Sequence, residues 1–92
     1  DLKGADDHMV NMAQKTVRQR LVDTLIYLEE TFGKNLDGTL RIQLSREELA
    51  GMIGTATESC IRLLSELNKS KLIELTGKKI LLIDKVKLKK FA

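Results

Sequence analysis

Two helix-capping signatures, separated by a glycine-containing segment, constrain the middle of this sequence more than any other feature. Ser45 is followed three residues later by Glu48, and Thr55 is followed in the same way by Glu58. This spacing typically opens a helix, because each side chain bonds the other residue's backbone N–H. Gly54 precedes the second signature and allows the positive φ that a sharp inter-helix turn needs. The pattern predicts two short helices joined by a tight turn.

A β-hairpin is predicted after the second helix. Residues 72–75 and 80–83 are rich in leucine and isoleucine, and the sequence Thr-Gly-Lys-Lys lies between them. Such runs around a glycine turn are typical of a hairpin. A helix-turn-helix followed by a β-wing is a device for placing one helix in a DNA major groove. The order of elements therefore favours DNA binding.

A long amphipathic helix is predicted near the start of the chain. Between Asp6 and Phe32, apolar residues recur at steps of three and four, which is the helix period. A break near Gln14–Thr16 is expected because the segment is long for a single globular helix. Gly33 is expected to end the helix in the left-handed αL conformation. The apolar stripe consists of Met9, Met12, Ala13, Val17, Leu21, Leu25, Leu28 and Phe32.

Two shorter segments complete the predicted fold. After an Asp-Gly turn, residues 39–44 alternate polar and apolar, as a half-buried strand does. Residues 84–92 predict a short helix in which Val86, Leu88 and Phe91 are partly packed. The predicted fold class is mainly α with a small β-wing, a winged helix-turn-helix.

Charge is distributed unevenly along the 92 residues. Residues 69–92 hold eight lysines against two acidic residues, a net charge of +6, whereas residues 1–68 carry −3. A basic end suits contact with phosphates, although a lysine-rich tail that only aids solubility has the same composition. The longest apolar run is four residues, no signal peptide is seen and there is one cysteine. We therefore expect no membrane segment and a cytoplasmic location.

The second helix carries the candidate base-reading residues. Arg62 could donate two hydrogen bonds to guanine, Glu58 could accept one from cytosine, and Ile61 could touch a thymine methyl group. Thr57 could reach a base or a phosphate. The opposite, apolar face consists of Cys60, Leu63, Leu64 and Leu67.

Each of these residues also has a simpler role that the sequence leaves open. Glu58 could only close the capping box, and Arg62 could pair with Glu58 or Glu66 on the helix surface. Ile61 could be buried against a partner. Cys60 is more typical of a small buried apolar residue than of a reactive thiol.

The candidate phosphate-binding residues lie at helix starts and at the hairpin tip. Ser45 and Arg46 open the first helix of the pair, where N–H groups and the helix dipole favour an anion. Ser59 lies in the first turn of the second helix, and Lys78 and Lys79 lie at the tip. A plain helix cap and ordinary hairpin lysines are the alternatives.

The sequence offers little for catalysis. His8 is the only histidine and Cys60 the only cysteine, so neither a Cys–His nucleophile nor a zinc ligand set is available. Residues 6–8 (Asp-Asp-His) could hold a metal loosely, but a solvated segment is more typical. Phosphate-loop and dinucleotide-binding glycine motifs are missing. We expect no enzyme activity, no metal site and no cofactor in this segment.

Residues 45–83 follow a longer and more specific pattern. It reads Ser-Arg-Glu-Glu-Leu-Ala, then Ile-Gly-x-x-x-Glu-Ser-x-x-Arg-Leu-Leu-x-x-Leu, then Leu-Ile-x-x-x-Gly-Lys-x-Ile. This pattern resembles the Crp/Fnr family, which comprises the cyclic-AMP receptor protein and fumarate–nitrate reductase regulator types. The resemblance extends weakly back to residues 17–21.

The resemblance implies roles for individual residues. By position, Glu58 and Arg62 match base-reading residues of the family, Arg46 and Ser59 match phosphate-contacting ones, and Lys78 matches a wing lysine. Thr57 is a departure, since the cyclic-AMP-type proteins carry arginine there. Ile61 is another, because small residues are common at that position. The half-site is therefore not assumed to be of the cyclic-AMP type.

The resemblance also implies an organisation. Residues 1–16 would be the end of a dimerisation helix or a linker, and residues 17–92 the winged helix-turn-helix domain of a longer, homodimeric bacterial regulator. The implied partners are double-stranded DNA with an inverted-repeat operator and, further, RNA polymerase. A cyclic nucleotide or another effector would bind a sensor domain outside this segment.

The sequence thus predicts sequence-specific binding of double-stranded DNA, with a recognition helix at about residues 57–69 in the major groove. A second hypothesis remains, in which the winged helix is a protein–protein interaction module. Its docking surface would be the apolar stripe of the first helix from Met9 to Leu28, together with Ile61.

Overall fold

The computed structural model describes residues 15–92, which form four helices and one two-stranded hairpin. The prediction for residues 1–14, including most of the expected dimerisation helix and the Asp-Asp-His segment, lies outside the described residues. The elements are α1 (Val17–Phe32), α2 (Arg46–Ile53), α3 (Thr57–Lys69), β1 (Ile73–Thr76), β2 (Lys79–Leu82) and α4 (Lys85–Phe91).

Helix α1 begins where the sequence indicated a break. Thr16 is its N-cap, and its hydroxyl accepts the backbone N–H of Gln19 while the Gln19 side chain accepts the N–H of Thr16. This reciprocal capping box satisfies two N–H groups that a helix start leaves unpaired. The predicted stripe is buried at Leu21, Leu25 and Leu28, but Phe32 is 43% exposed. Phe32, the last residue of α1, is therefore not part of the core.

Gly33 ends α1 in a different conformation from the one predicted. Its φ is +82° but its ψ is −169°, so the residue has the expected positive φ without the left-handed helical ψ. The chain has to leave the helix extended, because Lys34 pairs at once with Leu40 in an isolated antiparallel bridge. A Schellman-type reversal would have prevented that pairing.

The predicted strand at residues 39–44 is not formed. The backbone pairs only in isolated bridges, Lys34 with Leu40 and Thr39 with Leu81, and the Leu40 N–H donates to the Ile80 carbonyl at 2.8 Å. Ile42 and Leu44 pack against the core although their backbone has no ladder. The alternating pattern therefore predicted side-chain burial correctly from Leu40 to Leu44 but not at Thr39, which is buried. The adjacent strand β2, with four residues, is too short to pair with the whole segment.

The helix-turn-helix has one of the two predicted caps. Ser45 and Glu48 form a full capping box at the start of α2. Gly54 ends α2 in the left-handed conformation (φ +72°, ψ +44°), as predicted.

The second predicted capping box was wrong. Helix α3 begins at Thr57, its N-cap is Ala56, and no side chain caps it. Glu58 is therefore the second residue of the helix, whereas a capping box needs the third. The Thr55 N–H instead donates to the Ala50 carbonyl at 3.0 Å and shapes the inter-helix turn.

The hairpin and the last helix agree with the prediction except in detail. Strands β1 and β2 are antiparallel, with Thr76 opposite Lys79 and a two-residue Gly77-Lys78 turn. Gly77 has a φ of +62°, which glycine adopts at little cost. In α4, Leu88 is buried and Phe91 half-buried, but Val86 is 64% exposed. The prediction that Val86 is packed was wrong because it lies on the helix face opposite Leu88.

One core joins all the elements. Helix α2 packs on α1 and α3, β1 packs on α3, and α4 packs on α1. An ion pair of 2.7 Å between Lys85 Nζ and the buried carboxylate of Glu29 ties α4 to α1. The core fixes the rotation of α3, because three of its side chains are buried. The fully buried side chains with the largest volumes are Leu21, Leu25, Leu49, Ile53, Leu64, Leu67, Ile73 and Leu88.

Candidate nucleic-acid interface

The outward face of α3 is the first component of the candidate interface. Cys60, Leu64 and Leu67 are buried, as the sequence predicted. Their burial turns Glu58, Ile61, Arg62 and Ser65 to the exposed side, and Ile61 is 47% exposed. Thr57 and Ser59 are half-buried. A face that mixes an acid, a guanidinium and an aliphatic side chain offers a donor, an acceptor and an apolar contact to base edges.

Within residues 15–92, Glu58 and Arg62 enter no ion pair or side-chain hydrogen bond. Glu66, which could have paired with Arg62, instead lies 3.4 Å from the Arg18 guanidinium of α1. Arg18 also stacks over the Phe91 ring at 4.7 Å from its centroid. Because Glu66 is paired with Arg18 of α1, it does not pair with Arg62. The charged ends of Glu58 and Arg62 therefore have no ionic partner among residues 15–92.

The start of α3 differs from the starts of the other helices. Thr16, Ser45 and Asp84 each accept a backbone N–H through the side chain at their helix starts, whereas Ala56 has no such side chain. Its first-turn N–H groups, including that of Ser59, therefore have no side-chain cap. Uncapped N–H groups at a positive dipole end are suited to a phosphate oxygen.

Ser45 is occupied as a cap but retains a donor. Its Oγ accepts the Glu48 N–H at 3.0 Å, and Glu48 Oε1 accepts the Ser45 N–H at 2.9 Å. The Ser45 N–H that donates to this carboxylate and, second, the Ser45 side chain beside it hold the pKa of the Glu48 carboxyl below its usual value. The plain capping role of Ser45 is therefore real. Its hydroxyl also carries a hydrogen, which can be donated either to the Glu48 carboxylate or to an external anion.

Arg46 connects three elements. Its Nη2 donates to the carbonyl oxygen of Gly77 in the wing turn at 3.1 Å. Its Nη1 is buried and has no hydrogen-bond partner among residues 15–92. Burial raises the pKa of the Cys60 thiol in α3, and the nearby Arg46 guanidinium partly opposes that rise. The start of α2, the first turn of α3 and the wing tip therefore lie close together.

The two wing lysines have different surroundings. Lys78 lies in the turn, is exposed and forms no ion pair among the described residues. Lys79 begins β2, and its Nζ lies 3.4 Å from Asp37 Oδ2 in the loop after α1. Lys78 lies next to Gly77, the residue that Arg46 contacts. The Lys79 side chain is instead directed towards Asp37 in the loop after α1.

Other chemistry has little support in the described part of the chain. From residue 15 to residue 92, no cluster of three or more histidine, cysteine, aspartate or glutamate side chains could hold a metal ion. Cys60 is fully buried, which agrees with its interpretation as a core residue. Over the same residues, the helices are too short or too polar to cross a membrane.

Sequence reasoning missed Asp37 and the Arg46–Gly77 contact. Asp37 was interpreted only as part of an Asp-Gly turn, although it also accepts the Thr39 N–H and hydroxyl. An aspartate two residues before a threonine is a local signal for such a turn. No local signal exists for its contact with Lys79, or for a contact between Arg46 and Gly77, because both pairs are distant in sequence.

The chain matches a known protein family over most of its length. A model described as a Crp-like helix-turn-helix domain matches residues 19–91. No curated protein matches the sequence.

Several solved structures share the fold. TTHA1359, a Crp/Fnr-family transcriptional regulator from Thermus thermophilus, is 25% identical over 99% of this chain and 47% of that chain, with a TM-score of 0.76. A variant of CooA from Carboxydothermus hydrogenoformans is 31% identical over 90% of this chain and 39% of that chain, with a TM-score of 0.75. FixK2 from Bradyrhizobium japonicum is 24% identical over 97% of this chain and 44% of that chain, with a TM-score of 0.76. At this identity the likeness supports the fold alone. This chain spans less than half the length of these proteins.

Proposed function

Because this chain belongs to the family of Crp-like helix-turn-helix domains, and is thus a DNA-binding module of a transcription regulator, we propose that α3 reads base sequence in the major groove. The observation that carries this proposal is the rotation of α3. Its apolar face is buried in the core, and Glu58 and Arg62 project from the opposite face without ion pairs to residues 15–92. Members of this family are in general transcription regulators and not enzymes.

Each exposed side chain of α3 has a matching base edge. The Arg62 guanidinium presents two parallel N–H groups, which fit O6 and N7 of guanine, a contact worth about 1–3 kcal/mol of discrimination. The Glu58 carboxylate accepts from the cytosine amino group. Ile61 contacts a thymine methyl group, and Thr57 reaches a neighbouring base edge from its half-buried position.

The phosphate contacts surround the recognition helix. Ser45 and Arg46 meet the backbone from the start of α2, and Ser59 does so through its N–H and hydroxyl in the uncapped first turn of α3. Lys78 and Lys79 contact phosphates from the wing. Such contacts position the domain on the duplex and carry no sequence information.

The complete regulator is proposed to be a cytoplasmic homodimer. Two copies would read an inverted repeat whose half-sites lie about one helical turn apart. Residues 1–16 would be the end of the dimerisation helix or a linker, and residues 17–92 would form the DNA-binding domain. RNA polymerase would be a further partner. The comparisons do not favour the alternative of a winged helix used only for protein contacts.

Selection from a random duplex library tests this function. The chain and its Arg62→Ala variant are each used to retain duplexes at low and at moderate salt. The proposal predicts an enriched half-site for the unmodified chain and, in the variant, loss of the enrichment at one guanine position of that half-site. The same enriched half-site for both proteins, or no retention of duplex at low salt, would contradict it.

A further inference from the structure

Asp37 is a fixed anion beside the wing. Its Oδ1 accepts both the backbone N–H of Thr39, at 3.0 Å, and the Thr39 hydroxyl, at 2.6 Å. These two bonds, together with Lys79, hold the pKa of the Asp37 carboxyl at about 2. The carboxylate is therefore charged at any pH at which DNA binding is measured.

The loop that carries Asp37 is seated directly on β2. Thr39 forms a bridge with Leu81, and the Leu40 N–H donates to the Ile80 carbonyl. Gly38 lies so close to the wing that a Cβ at that position would be 2.7 Å from Leu81 Cδ1. The position of the Asp37 loop against the wing is therefore set by backbone pairing at Thr39 and Leu40 and by the Leu81 side chain packed at Gly38.

The second carboxylate oxygen faces a lysine that the proposed function assigns to DNA. Asp37 Oδ2 lies 3.4 Å from Lys79 Nζ, and both side chains are about half exposed, at 51% and 48%. Lys78, the adjacent lysine, has no carboxylate partner among residues 15–92. Lys79 therefore already has a carboxylate partner in the folded chain, whereas the neighbouring Lys78 has none among residues 15–92.

We propose that Asp37 is a positioning residue that competes with a DNA phosphate for Lys79, so that Lys78 is the principal phosphate-binding cation of the wing. The inference rests on the proposed function and refines its assignment of two equivalent wing lysines. Because Lys79 stays with Asp37, the wing contributes one cation, Lys78, to the DNA. Asp37 therefore lowers the affinity of the wing for DNA.

Asp37→Asn is the direct test, because the amide oxygen can still accept from Thr39 while the charge is removed. Dissociation constants are measured for a mixed-sequence duplex of about 30 base pairs, which spans two half-sites. We expect Asp37→Asn to bind more tightly and to steepen the salt dependence by about one counterion per bound chain. The ratio of affinities between about 50 and 200 mM salt then grows about 3.5-fold.

Lys79 provides the second arm of the test. Lys79→Ala is expected to change the salt slope little in the unmodified chain but to remove the gain in the Asp37→Asn background. Lys78→Ala should reduce the slope by about one in both backgrounds. Asp23→Asn is the matched control. Asp23 lies on α1, is also about half exposed, and its Oδ2 lies 2.9 Å from Lys15 Nζ.

Three results would overturn the proposal. They are an unchanged affinity and slope in Asp37→Asn, a gain that persists after Lys79→Ala, and an equal gain in Asp23→Asn. If the unmodified chain does not retain duplex at all, the proposed function fails. The Asp37–Lys79 contact is then judged by an NMR pH titration of the Asp37 carboxyl without DNA. A higher Asp37 pKa in Lys79→Ala supports the contact, and an unchanged pKa contradicts it.

Discussion

The Arg46 guanidinium donates a hydrogen bond from Nη2 to the backbone carbonyl of Gly77, 3.1 Å away in the wing turn. The two residues lie on separate elements, at the start of α2 and between the strands of the hairpin. An arginine has donors in a planar fork, and here Nη2 holds this carbonyl while the buried Nη1 has no partner among residues 15–92. The contact therefore couples the position of the wing to the helix-turn-helix.

We predict that Arg46→Ala and Arg46→Lys separate the two roles of this residue. Arg46→Ala should lose affinity for duplex DNA and reduce the salt slope by about one, because a phosphate contact is removed. Arg46→Lys retains the charge and the slope but loses the fork that holds Gly77. Amide hydrogen exchange in residues 73–76 and 79–82 should therefore be faster in both variants. Exchange in Arg46→Lys as slow as in the unmodified chain would contradict the coupling.

A pair of glycine substitutions tests how tightly the loop is seated on the wing. Gly38→Ala places a Cβ 2.7 Å from Leu81 Cδ1 at a φ of +88° and should destabilise the chain by about 2 kcal/mol. Gly51→Ala is the matched control, since its Cβ meets nothing within 4 Å and its φ is helical. It should stabilise the chain by about 0.5–1 kcal/mol. Urea unfolding measures both, and equal effects would show that the loop can move away.

Lys71 is predicted to be a site of backbone strain. Among the described non-glycine residues it alone has a positive φ, +59°, just after α3. Lys71→Gly should increase the free energy of unfolding by about 1 kcal/mol because glycine adopts this conformation readily. Lys69→Gly, two residues earlier and inside α3, should have the opposite sign. A loss of stability in Lys71→Gly would show that the strain is negligible.

The pH dependence of stability should include a contribution from Asp37. Its pKa in the folded chain is about 2, below the ordinary value of 3.8. A carboxyl whose pKa is lowered by folding stabilises the folded state above its unfolded pKa, and this stabilisation is lost as the pH falls through the folded value. Asp37→Asn should therefore flatten the fall in stability between about pH 4 and pH 2. Parallel curves for the two proteins would contradict this assignment.

Local patterns predicted much of the fold. The Ser45–Glu48 capping box and the positive φ of Gly54 depend on neighbouring residues, and both predictions were confirmed. The buried face of α3, with Cys60 and Leu64, follows from helical periodicity and core packing alone. The predicted family and winged helix-turn-helix fold were confirmed for the same reason: the motif lies in one continuous stretch.

The errors lie where tertiary contacts decide between local choices. Thr55 has the right residue type for a cap, but its N–H is used in the inter-helix turn, so α3 begins one residue later than the capping box required. The predicted strand from Thr39 failed because the hairpin offers only a short edge to pair with. The contact of Asp37 with Lys79 spans 42 positions, and sequence spacing alone does not specify it.

The central claim, that α3 reads bases, is tested most directly by the base preference of Arg62→Ala. Affinities are measured at fixed salt for the selected duplex and for every single-base substitution of one half-site. The control is Arg41→Ala, which removes an exposed arginine from the loop before α2. We predict that Arg62→Ala loses about 1–3 kcal/mol of discrimination at one guanine position and keeps the other preferences. A uniform loss at all positions, or the same result for Arg41→Ala, would contradict base reading by α3.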